Sequence, residues 1–131
     1  MFNKLKIDTK RPLWLINIPG DVDLPTGNML VHEKLVGKKT IEQILLFAEK
    51  RTIPDAELDK IVPSLAAKAI FWVAYPKKSG SIQSDLIRDD GWDKVYASGY
   101  RLVASVAINS NWSAVRVSKI DANKEYAGRV P

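Results

Sequence analysis

Ala69-Ile70-Phe71-Trp72-Val73-Ala74-Tyr75 is stopped by Pro76 and followed by Lys77-Lys78-Ser79-Gly80-Ser81. Seven apolar or aromatic residues run without a charge. Aromatic and branched side chains suit a pleated, packed surface, and unbroken rather than alternating apolarity is the mark of a strand covered on both faces. The run predicts a central strand over 69–75 with Trp72 inside. Pro76 cannot donate to a ladder and closes it.

Upstream, Leu58, Ile61, Val62 and Leu65 recur at i, i+3, i+4 and i+7 among Asp55, Glu57, Asp59 and Lys60. This spacing predicts an amphipathic helix, capped by Thr52 or Asp55 and kinked or split into two short pieces at Pro63. Ile44-Leu45-Leu46-Phe47-Ala48 and Leu13-Trp14-Leu15-Ile16-Asn17-Ile18 are further buried strands. Residues 19–28 are rich in turn formers, and a short strand begins at Met29. The link between these last two strands is short for a crossover helix.

Downstream, Asp89 or Asp90 caps a helix whose inner face is Trp92, Val95 and Tyr96, closed by Gly99. Residues 101–108 and 112–117 are two strands joined by Asn109-Ser110-Asn111, which predicts an antiparallel hairpin. The order β, β, β, α, β, α, β, β argues an α/β domain: a mostly parallel sheet, helices packed on it, and an antiparallel C-terminal hairpin.

The 131 residues suit one domain, with residues 1–11 a basic, flexible start and 120–131 an uncommitted polar tail. Hydrophobic residues are 46% and charged residues 27%, which excludes a disordered chain. The absence of cysteine removes disulfides, thiolate metal sites and cysteine nucleophiles, and a single histidine removes His-rich metal sites. No window approaches a membrane span and the opening residues lack a signal-peptide core, so the cytoplasm is the expected compartment. With 20 basic and 15 acidic side chains the formal charge is +5. Lys4, Lys6, Lys10 and Arg11 carry much of that excess.

Neither G-x-G-x-x-G nor G-x-x-x-x-G-K-[ST] occurs, so no phosphate cradle is recognisable. The nearest feature is the loop from Tyr75 to Ser81, beyond the carboxyl end of the strongest strand, where open α/β sheets hold ligands. Its plain alternative is a solvated basic loop. Asp85, Asp89, Asp90 and Asp93 could serve acid–base work or hold Mg²⁺, but aspartate at a helix start first satisfies the helix. His32 has no nucleophile elbow to serve and reads as structural or solvent-exposed. Trp14, Trp72, Trp92 and Trp112 could form a base-stacking set. Trp72 and Trp92 belong more naturally to the core, and Trp112 to an edge. Basic residues are interspersed with acidic ones and no nucleic-acid motif occurs, which disfavours a nucleic-acid partner.

Phe71-Trp72-Val73-Ala74-Tyr75-Pro76-Lys77-Lys78-Ser79-Gly80, then the Ser84-Asp85 step, the helix, and Trp112-Ser113 with Arg116 resemble a family of short bacterial proteins built on a domain of unknown function. The resemblance covers residues 43–118 and implies a Rossmann-like fold without an assigned activity. The same span more weakly resembles the C-terminal half of S-adenosylmethionine-dependent methyltransferases. Their glycine-rich cofactor loop corresponds here to Asn17-Ile18-Pro19-Gly20-Asp21, which has one glycine.

The resulting expectation is a single Rossmann-like domain without catalytic residues, cofactor or metal, binding a small anionic ligand or a protein partner. The alternative is a degenerate methyltransferase-like or nucleotide-handling enzyme. Self-association stays open. If the strands at 69–75 and 101–108 are parallel, the hairpin turn meets the loop after Tyr75. Lys77, Lys78 and Ser79 with Asn109, Asn111 and Trp112 would then line one shallow site for an anion carrying a flat group. Lysine offers point charge, asparagine donors and acceptors, and tryptophan a stacking face.

Overall fold

The computed structural model describes residues 5–20, 22–24, 26–34, 40–48, 60–77, 92–97 and 99–119. These residues form β1 (Leu13–Ile16), β2 (Val31–His32), β3 (Ile41–Phe47), a 3₁₀ turn (Val62–Ser64), β4 (Leu65–Pro76), α1 (Asp93–Ala97), β5 (Tyr100–Ala107) and β6 (Trp112–Lys119). The strands make a six-stranded sheet in the order β2-β1-β3-β4-β6-β5. β1 pairs in parallel with β2 and β3, and β3 with β4. β6 is antiparallel to both β4 and β5. β4 therefore lies inside the sheet, and Trp72 is 1% exposed.

The helix-rich Rossmann-like α/β layout is not what the chain adopts. The described residues are largely strand; α1, five residues long, is the α-helix with a defined range among them, and Leu5 and Lys60–Ile61 are also α-helical. The physical reason is visible in two places. Ile61 is buried as the helical spacing requires, but Pro63 sits in a 3₁₀ turn and Leu65 turns extended (φ −70°, ψ 133°) to pair with Ile41. Sheet pairing thus takes the fourth position of the expected helix. Between β1 and β2, local turns such as Val22 N–H to Pro19 O (3.2 Å) and Met29 N–H to Thr26 O (2.8 Å) carry the chain across. The capping candidates Thr52, Asp55, Asp89 and Asp90, with Leu58 and residues 120–131, lie outside the described residues.

Both sheet faces are buried, and strand alternation assigns them. One face carries Trp14, Ile16, Ile44, Leu46, Phe71, Val73, Val115 and Val117, covered by Ile61, Trp92 and Val95. Tyr96 packs against this cluster half-buried, so the expected inner face of α1 meets the sheet. Gly99, at φ +89°, ends the helix and returns its N–H to Tyr96 O at 3.1 Å. The other face carries Leu13, Leu15, Leu45, Phe47, Trp72, Trp112 and Ala114, covered by Leu5, Ile7, Val22 and Leu24. In β5 the register shifts between Leu102 and Ala104. That bulge moves even-numbered residues from the first face (Tyr100, Leu102) to the second (Ala104, Val106).

From Leu5 onward the basic start of the chain is packed. Leu5 is fully buried, Ile7 is 7% exposed, and the Trp72 indole N–H donates to Leu5 O at 2.7 Å. Gln43, the buried polar side chain among the described residues, ties this segment to β3. Its Oε1 accepts from Asp8 N–H (2.9 Å), and its Nε2 donates to Asp8 O (2.8 Å) and Arg11 O (3.1 Å). A buried amide satisfied at both ends locks register rather than adding much net stability.

Candidate functional site

Parallel pairing puts the carboxyl ends of β1, β3 and β4 on one edge of the sheet. β6, running the other way, begins on that edge, with Trp112 opposite Pro76. The β5–β6 turn consequently meets the end of β4: Lys77 N–H donates to Asn111 O at 2.7 Å. Lys77, Asn109, Asn111 and Trp112 do come together, as the strand directions predict. Lys78 and Ser79 lie outside the described residues.

Their roles are not all those expected. Asn109 organises the turn, its Oδ1 accepting from Asn111 N–H (2.8 Å) and Trp112 N–H (2.9 Å). Ile108 N–H and Asn109 N–H both donate to Trp112 O, at 3.0 and 3.3 Å. Trp112 is fully buried, and its ring meets Phe47 edge-on with centroids 5.3 Å apart. Trp112 packs the second face of the sheet, so its ring offers no stacking surface to a ligand. What remains on the rim is the half-buried Lys77, with Asn111 half-buried beside it.

The chain order adds a feature that sequence reasoning did not include among the site residues. From β1 the chain goes to β2 on one side, while β3 and β4 build outward on the other. The order reverses between β1 and β3, and crevices beyond carboxyl ends at such reversals are where parallel sheets bind ligands. Asn17 stands there, exposed and at φ +60°, a conformation that asparagine tolerates better than most residues. The signal available in sequence was an asparagine directly after a buried strand and before Pro19-Gly20.

The other candidates resolve differently. His32 lies opposite Trp14 in the β1–β2 pair, ring centroids 4.5 Å apart and tilted by 32°. It is half-buried beside Glu33 and Lys34. Asp93 opens α1, while Asp85, Asp89 and Asp90 lie outside the described residues. Among the described residues no group of three His, Asp or Glu side chains could hold a metal ion. At the far end of α1, Arg101 Nη1 donates to Tyr96 O (3.3 Å) and Tyr100 O (2.8 Å), with the guanidinium 5.4 Å from the Tyr96 ring centre. A cation on the last carbonyls of a helix complements its dipole. Burial pushes the Tyr100 phenol above its ordinary pKa.

Charge is distributed unevenly around the sheet. Arg11 pairs with Asp8 (3.5 Å) and Glu42 (3.9 Å), which offsets part of the N-terminal excess. Among the described residues the ion pairs are these two, and neither involves Lys77. No helix among the described residues is long and apolar enough to cross a membrane. No protein-family model matches the chain, and no curated protein matches it.

Proposed function

We propose that the protein is a non-catalytic binding module for a small anion, held at the carboxyl edge of the parallel strands. The observation that supports this reading is the convergence of the β1, β3 and β4 carboxyl ends with the β5–β6 turn, where Lys77 is joined to Asn111. Lys77 supplies a point charge with no described acidic partner. With Trp112 enclosed, the ligand is recognised by charge and hydrogen bonding rather than by stacking on a flat group. The cytoplasm is the compartment that goes with this reading and with a cysteine-free chain.

The test is a thermal-shift series with phosphate, sulfate and simple carboxylates on the wild type and on Lys77→Ala. A ligand at about 100 times Kd stabilises by roughly 2.7 kcal/mol, which is readily seen. The expected result is a saturable shift in the wild type that weakens with added salt, since exposed charges are screened within about 8–10 Å. It should be lost or much reduced in Lys77→Ala. Equal shifts in the two proteins, or none in either, overturn the proposal.

A further inference from the structure

We draw no further inference here: the strongest candidate, the half-buried apolar stripe of Ile70, Ala104, Val106 and Ile108 on the β5 side of the second sheet face, carries nothing because nothing in the structure shows what covers it.

Discussion

Replacing Trp72 by Phe isolates the bond that fastens the start of the chain to the centre of the sheet. The indole is 1% exposed and its N–H donates to Leu5 O at 2.7 Å, both groups inside the second core cluster. Phenylalanine keeps the aromatic contact and removes the donor. The lost hydrogen bond is worth about 0.5–1.5 kcal/mol net, and a stranded buried carbonyl costs about 1–3 kcal/mol. The smaller ring adds about 1 kcal/mol at roughly 24 cal/mol per Å³ of cavity. Because the first two figures overlap, the expected loss is about 2–4 kcal/mol. Against a total stability of about 5–15 kcal/mol for a domain, that is a large fraction. For a chain of this size it lowers Tm by on the order of 10 °C. Urea unfolding followed by circular dichroism measures the loss, and amide hydrogen exchange shows where it falls. Exchange should quicken around Leu5 to Asp8 more than in β6. A loss under about 0.5 kcal/mol, or unchanged exchange at Leu5 to Asp8, would mean that the indole bond does not fasten this segment.

Three further perturbations probe other parts of the fold. Trp92→Ala removes a ring that is 1% exposed and edge-on to Tyr75 at 5.9 Å, and should cost about 3–5 kcal/mol in urea unfolding. An unchanged midpoint counts against α1 packing on the sheet. Gly99→Ala meets nothing within 4 Å of the added Cβ, so its cost is backbone strain alone at φ +89°, about 1–2 kcal/mol. A neutral result there would mean the turn relaxes to negative φ. Tyr100, with its pKa raised by burial, holds its proton in the fold to higher pH than in the unfolded chain. Its contribution to stability is complete below about 10 and is lost as pH rises through the folded value, because the unfolded state then binds fewer protons. Ultraviolet titration of the four tyrosines should lose a component that ionises above the ordinary range in Tyr100→Phe; an identical curve would contradict the burial argument.

The strands were legible where residue type and context agreed. Residues 69–75 are apolar throughout, and they occupy an inner strand whose Phe71–Tyr75 are buried on both faces. The Asn109-Ser110-Asn111 turn and the Trp92, Val95 and Tyr96 face could be read because turn chemistry and helical spacing are local properties. Of the helix expected before Leu65, Lys60 and Ile61 are α-helical and Val62–Ser64 tighten into a 3₁₀ turn at Pro63, Leu58 lies outside the described residues, and the departure from the reading is Leu65, which turns extended. Only the partner strand decides that Leu65 pairs with Ile41. Tertiary pairing overrides such a pattern, and no local rule anticipates it. The helix-rich layout fell with the early return to strand at Leu65 and with the turn-built β1–β2 link.

At the rim, the meeting of Lys77 with Asn111 followed from strand direction alone, and it is present. Trp112 was misplaced for a different reason. It shares strand parity with Ala114, and both point to the second sheet face. Had that face been solvated, parity would have put the ring outside. It is inside because Leu5, Ile7, Val22 and Leu24, outside the strands of the sheet, cover that face. Leu5 and Ile7 alternate with lysines in the basic start of the chain, a faint period-two signal easily outweighed by the charge around it.

Whether an anion binds where the parallel strands end can be read by titrating phosphate into the labelled protein and following its backbone amide resonances. Binding at this rim gives saturable shifts with one apparent Kd at Asn17, Lys77 and Asn111, abolished together in Lys77→Ala. Shifts confined to Lys6, Lys10 and Arg11 at the opposite, basic start of the chain, or unsaturated drift spread over exposed lysines, would contradict it.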